Sequence, residues 1–106
     1  MSFKEFLNEY ESNSIEVYSG GGHIILSVSE KQKEYHIALD QNKGKKLIRL
    51  LKSKKSSSED GEDNNSISLK FKDSSCIVCI TDNDTNGNVK IQLDTDQIKE
   101  LINRLK

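Results

Sequence analysis

The hydrophobic positions of this chain recur in two copies. Residues 13–52 and 67–106 align without a gap at an offset of 54 positions. In each copy, apolar residues first alternate with polar ones over three short segments and then recur every three or four positions. Alternation is typical of half-buried strands, and the longer spacing is typical of an amphipathic helix. The pattern therefore predicts a tandem βββα repeat.

The two copies together predict an α+β fold in one domain, residues 1–106. A three-stranded unit with one helix leaves its apolar face half covered, so the two units are expected to share a core. We expect a six-stranded antiparallel sheet about a pseudo-twofold axis, with both helices on one face. The predicted strands are 15–19, 23–29, 34–39, 68–72, 76–81 and 88–93, and the helices open at Asp40 or Gln41 and at Asp94 or Thr95.

Two segments lie outside the repeat. Residues 2–11 predict a short amphipathic helix, with apolar residues at helical spacing from Phe3 to Tyr10. Residues 53–66 predict an acidic, serine-rich linker; because its centre has no apolar residue, it is expected to be mobile and solvated.

The composition narrows the classes of function. The net charge of the 106 residues is −1, which gives no overall attraction to nucleic acid or membrane. No apolar run is long enough to span a bilayer, the polar start is unlike a signal peptide, and two cysteines without such a signal fit a reducing compartment. We expect a cytoplasmic protein without a cofactor, acting as a monomer or a homodimer.

A basic segment opens the first repeat helix and is a candidate anion site. Cations in a first helical turn are unfavourable, because that end of the helix dipole is already positive. A bound phosphate would offset this, since the backbone N–H groups and the lysines there could both contact it. The alternative is a solvated helix face next to the acidic linker. The candidate residues are Asn42, Lys43, Gly44, Lys45, Lys46 and Arg49.

Two further motifs favour structural interpretations. The segment Asp82–Gly87 matches the first half of a calcium loop, but Leu93 stands where a bidentate Glu is needed, and Asn86-Gly87 is a strong hairpin-turn signal. Cys76 and Cys79 lie in a predicted strand, where positions three apart face opposite sides. Cys76 is expected in the core.

A Ser/His/Asp set is also present, in the first copy. If Val28 pairs with Tyr35, then Ser27 lies opposite His36 and His23 lies opposite Asp40. A flat sheet face offers no pocket for nucleophilic catalysis. We therefore expect no enzyme and no metal site.

The outer face of the predicted sheet is the candidate partner surface. Its centre is more apolar than that of a solvent-exposed face without a binding role, and such apolar centres are typical of interaction surfaces. The candidate residues are Tyr18, His23, Ile25, Ala38, Lys70, Lys72, Ile77, Cys79, Lys90 and Gln92.

The order of elements resembles the architecture of Whirly and PUR-repeat proteins, and that of the small Alu-binding subunits of the signal recognition particle. This resemblance implies a single-stranded nucleic-acid-binding module, for which Lys70, Lys72 and Lys90 would serve. Tyr18 is the only aromatic residue expected on the outer face for base stacking. The leading hypothesis is therefore a small non-enzymatic protein of inhibitor, immunity or anti-defence type that binds a protein partner; the alternative is nucleic-acid binding, and the third is anion or nucleotide sequestration.

Overall fold

The structure, a computed structural model, describes residues 13–30, 33–61 and 64–106. The helix predicted over 2–11 lies outside them. The described elements are β1 (Ser14–Gly20), β2 (His23–Glu30), β3 (Lys33–Asp40), α1 (Gln41–Ser53), β4 (Ser57–Asp60), β5 (Asn65–Lys72), β6 (Ser75–Asp82), β7 (Asn88–Leu93) and α2 (Thr95–Leu105). Neither helix is long and apolar enough to cross a membrane, within these described ranges.

The α+β class is confirmed, but the single six-stranded sheet is not what the structure shows. The strands form two antiparallel sheets, a three-stranded sheet in the order β1-β2-β3 and a four-stranded sheet in the order β4-β5-β6-β7. We call them the first and second sheets. Strand β2 contacts β7, and β3 contacts β5, β6 and β7, without a shared ladder. The two sheets therefore pack together without hydrogen-bonding into one.

One apolar core joins the sheets and the helices. Alternate residues of the central strands point into it, including Leu26 and Ile37 from the first sheet and Val78 and Ile91 from the second, all fully buried. Packing the apolar faces against one another and beneath two helices covers both sheets. A single flat sheet of six strands would have left its apolar face to two short helices alone.

Both helices begin at the predicted aspartates. Asp40 accepts a hydrogen bond of 2.7 Å from the Lys43 backbone N–H, and Asp94 accepts one of 2.8 Å from the Gln97 backbone N–H. The Gln97 side chain accepts in return from the Asp94 backbone N–H, which completes a capping box. Each helix then presents its leucines and isoleucines to the core.

The linker contains an unpredicted strand. Residues 57–60 form β4, which pairs antiparallel with β5 so that Ser57 lies opposite Leu69 and Asp60 lies opposite Ser66. The expectation of a segment without regular structure is wrong at these residues. The sequence of this strand has no apolar alternation, so hydrophobic periodicity could not predict it. The strand is instead held by backbone pairing with β5 and by a 2.5 Å ion pair between Glu59 and Lys46 of α1.

Candidate binding surfaces

The outer side of the first sheet carries a row of three neighbouring side chains. Tyr18 on β1 lies opposite Ile25 on β2, and Ile25 lies opposite Ala38 on β3. Strand alternation turns these three away from the core, because the preceding residues Val17 and Ile24 pack against it. We call Tyr18, Ile25 and Ala38 the tyrosine face. Tyr18 is 53% exposed and is the one large hydrophobic residue of the described chain with such exposure.

The phenol of Tyr18 is held by a neighbour on its own strand. Its hydroxyl donates a hydrogen bond to the Glu16 carboxylate. This bond, together with the negative charge of Glu16, raises the pKa of Tyr18. Tyr18 therefore offers an uncharged ring and a fixed hydroxyl group, a combination that suits a protein interface.

His23 is the first residue of β2 and lies on the same side of the sheet as the tyrosine face, two residues before Ile25. It pairs with Asp40 across β2 and β3, and its Nδ1 lies 3.2 Å from the Gly21 carbonyl oxygen. The predicted neighbourhood of His23, Ile25 and Ala38 is thus present on one sheet.

The remaining candidates form a separate surface on the second sheet. Lys70 lies opposite Ile77 and Ile77 opposite Gln92, while Cys79 lies opposite Lys90 in the next row. The three lysines are exposed, and the other three side chains are half-buried. We call this surface the lysine face; it consists of Lys70, Lys72, Ile77, Cys79, Lys90 and Gln92. The expected single partner surface is therefore divided between two sheets.

The candidate anion segment is largely engaged within the fold. The Asp40 carboxylate accepts from the Lys43 N–H, and Lys46 pairs with Glu59. Gly44 is buried, and a methyl group at that position would lie 2.6 Å from Ile24 Cδ1. Gly44 is therefore explained by close packing of α1 on β2. Asn42, Lys45 and Arg49 are exposed.

The two cysteines face opposite sides of β6, as predicted. Cys76 is fully buried, and burial raises the pKa of its thiol to about 12. A thiol in this state is a poor nucleophile and metal ligand near neutral pH. Cys79 is half-buried on the lysine face, and its Sγ lies 3.7 Å from Thr81 Oγ1.

The segment Asp82–Gly87 forms the turn of the β6–β7 hairpin. The Asn86 N–H donates to the Asp82 carbonyl at 2.8 Å, and the Asp82 N–H donates to the Gly87 carbonyl at 2.8 Å. Asp84 Oδ1 accepts from Asn64 Nδ2 at 2.5 Å. The hairpin interpretation is confirmed, and across residues 13–30, 33–61 and 64–106 no cluster of three His, Cys, Asp or Glu residues could hold a metal ion.

The Ser/His/Asp residues occupy the predicted register. Ser27 lies opposite His36, and His23 lies opposite Asp40. The Ser27 hydroxyl donates to Glu34 Oε1 at 3.3 Å, while the Asp40 carboxylate caps α1. The hydroxyl hydrogen bond thus goes to a glutamate and not to a histidine base.

One cavity is lined by residues from three parts of the fold whose proximity the sequence did not predict. It lies between the first sheet, α1 and the last residues of α2, and its walls include Lys45, Ile48 and Arg104. Hydrophobic periodicity places each residue on its own helix but does not say which helix ends meet. The available signal was a size difference between the copies, since Val17 stands where the second copy has Phe71.

No protein-family model matches the chain, and a search of curated proteins found no match.

Proposed function

We propose that this chain is a small non-enzymatic protein that binds a macromolecular partner through the outer side of the first sheet, and that this partner is a protein. The observation that carries the proposal is the in-register row of Tyr18, Ile25 and Ala38. An exposed tyrosine flanked by aliphatic side chains on a rigid sheet is a typical interface anchor. An inhibitor, immunity or anti-defence role fits such a surface.

The polar surroundings of the tyrosine face also support a protein interface. Glu16 and His36 are exposed on the same side, and Ser27 and Glu34 are hydrogen-bonded to each other there. An apolar centre with a polar rim is the usual anatomy of a protein–protein contact. The proposed partner would place an apolar pocket over Tyr18.

The test is site-specific photo-crosslinking in the full-length protein. A photoreactive phenylalanine derivative replaces Tyr18, and the matched control places it at Lys52, which is exposed on α1. We expect a discrete protein adduct from position 18 alone. With that partner purified, Tyr18→Ala is expected to weaken binding by about 30-fold, the effect of losing a typical anchor worth about 2 kcal/mol. Equal adducts at both positions, or unchanged affinity of Tyr18→Ala, would contradict the proposal.

The alternative function is binding of single-stranded nucleic acid on the lysine face. It is supported by the exposure of Lys70, Lys72 and Lys90 on one sheet surface. A mobility-shift assay at low and moderate salt distinguishes the two functions, because phosphate contacts make binding steeply salt-dependent. Retardation that falls with salt and is lost in Lys70→Gln/Lys90→Gln would favour this alternative.

The third function, anion or nucleotide sequestration, rests on residues 42–46 and Arg49. Titration with phosphate and with a nucleotide, followed through the backbone amide resonances of these residues, tests it. Saturable shifts confined to this segment would support it, and unmoved resonances at millimolar ligand would exclude it.

A further inference from the structure

We infer that the cavity between the first sheet, α1 and the end of α2 binds an amphiphilic carboxylate, a molecule with an aliphatic chain and one anionic head group. The cavity has a volume of about 600 Å³. This lies within the range of small-molecule sites, about 300–1,000 Å³. We call it the cationic groove.

The floor of the groove is aliphatic. It is formed by Val17 and Ile24 of the first sheet, Ile48 of α1 and Leu105 of α2. The first three are half-buried, so the groove leaves part of their apolar surface open to solvent. Covering that surface with an aliphatic chain would remove apolar area from water, which favours binding.

The rim of the groove is basic. Lys45, Arg104 and Lys106 line it together with His23, and among the residues that the structure describes its lining contains no aspartate or glutamate. Arg104 Nη2 is 2.6 Å from Glu100 Oε1, an exposed pair one helical turn apart that leaves the other guanidinium donors available. An anionic head group complements this rim, whereas a cationic one would be repelled.

The groove lies mainly on the first copy of the repeat, and the end of α2 in the second copy supplies Arg104, Leu105 and Lys106 to its wall. Ile24 and Ile48 are half-buried, whereas Val78 and Ile102, at the same positions of the second copy, are buried. The second copy thus buries two of the three positions that the first copy leaves half-buried, whereas Phe71, at the position of Val17, is half-buried too. A ligand at the groove would account for that difference.

The groove is also separate from the tyrosine face. Val17 and Ile24 precede Tyr18 and Ile25 on the same strands, and strand alternation turns them to the opposite side of the sheet. His23, at the end of β2, lines the groove although it lies on the side of the tyrosine face, whereas Tyr18, Ile25 and Ala38 do not line the groove. Ligand binding in the groove and partner binding on the tyrosine face are therefore separate predictions.

The test is a titration of the full-length protein with decanoate below its micelle concentration, followed through side-chain methyl resonances. We expect saturable shifts of Ile24, Ile48 and Leu105. Decanol, which lacks the charge, is expected to bind about ten-fold more weakly, the equivalent of about 1.4 kcal/mol, and decyltrimethylammonium more weakly still. Short-chain acetate is expected to produce no saturable shift of these methyl groups, because it cannot cover the floor.

Two variants test the rim and the floor separately. Lys45→Glu is expected to weaken decanoate binding about ten-fold, whereas Lys52→Glu, on the same helix outside the groove, leaves it unchanged. Val17→Phe introduces the residue of the second copy and is expected to reduce binding by filling the groove while the chain stays folded.

Several results would overturn the inference. Equal affinity for decanoate and decanol, or equal effects of Lys45→Glu and Lys52→Glu, would mean that the rim does not select an anion. Residues 1–12 are themselves acidic and partly apolar. If decanoate binds only after they are deleted, the occupant of the groove is this segment of the chain and not a separate ligand. Shifts that spread over the protein without saturation would indicate detergent action only.

Discussion

The side-chain amide of Asn65 donates a hydrogen bond of 2.5 Å to the backbone carbonyl oxygen of His36 on β3. The amide of Asn13 donates in the same way to the carbonyl of Lys90 on β7. His36 and Lys90 occupy the same position of the two copies, 54 residues apart. Side-chain amides near the start of each copy's first strand thus bond the third strand of the other copy, where a continuous sheet would have a backbone ladder.

We expect Asn65→Ala and Asn13→Ala each to lower the free energy of unfolding by about 1 kcal/mol, the usual net worth of such a hydrogen bond. Urea unfolding of the single and double variants measures the effect. Because the two bonds join the same pair of sheets, the double variant also reports whether their contributions add. Wild-type stability in all three would show that these amides do not hold the sheets together.

Gly44 is expected to be sensitive to side-chain size. Gly44→Ile, which copies Ile98 of the second repeat, should cost about 1–3 kcal/mol because the new side chain meets Ile24. Gly44→Ala should be near neutral, since a gain of about 1 kcal/mol in helix propensity offsets the contact with the end of Ile24.

The control for this prediction is a double-mutant cycle with Ile24→Ala. Removing the Ile24 side chain makes room for Ile at position 44, so the double variant should be more stable than the sum of the two changes by at least about 0.5 kcal/mol. Additive losses in chemical unfolding would contradict the proposed contact.

Asp40 is expected to stabilise α1 both as a hydrogen-bond acceptor and as a charge. The first turn of α1 contains no other acid, and Lys43, Lys45 and Lys46 follow. Asp40→Ala should lower the free energy of unfolding by about 1–2 kcal/mol. Asp40→Asn should lower it by only a few tenths of that amount, because the amide oxygen still accepts the hydrogen bond from the Lys43 N–H. Because salt screens the charge of Asp40, the difference in unfolding free energy between Asp40→Asn and wild type should shrink at high salt. Urea unfolding at low and high ionic strength measures this difference.

The second helix provides the matched control. Asp94→Asn keeps the capping acceptor in a helix whose first turn already contains Asp96. Its loss should be smaller and less dependent on salt than that of Asp40→Asn. The reverse order would show that the charge of Asp40 has no particular role.

Cys76 is expected to make the protein alkali-sensitive. Its pKa is raised by burial from 9.0 to about 12, so at pH values between these the unfolded chain releases a proton that the folded chain retains. Stability is therefore fully present below pH 9 and falls as pH rises, by at most about 1.4 kcal/mol per pH unit for one group. Denaturant unfolding from pH 8 to 11 would show a shallower decline in Cys76→Ala, which cannot ionise; parallel declines would refute this assignment.

Local patterns predicted much of the fold within each copy. The burial of Cys76 follows from strand alternation, and the structure shows it. The pairing of Val28 with Tyr35, a premise of the sequence analysis, is the register that the structure has. The aspartate caps follow from the chemistry of helix starts. These features depend on neighbours in sequence or across one hairpin.

The relation between the copies was not predictable in the same way. Whether β3 and β7 share a ladder depends on backbone groups that no side chain marks, and the amides of Asn13 and Asn65 look like ordinary loop residues. For the same reason the rows of the tyrosine and lysine faces could be predicted, but their division between two sheets could not. The cationic groove depends on where the end of α2 meets α1, which periodicity does not encode.

Strand β4 has a consequence for how molecules of this protein meet one another. Without it, β5 would present an open row of backbone groups from Ser66 to Leu69, a template on which another chain could extend the sheet. The serines and acids of β4 occupy that row and place a short, negatively charged strand at the margin. The acidic segment between the two copies is therefore expected to discourage fibrous aggregation.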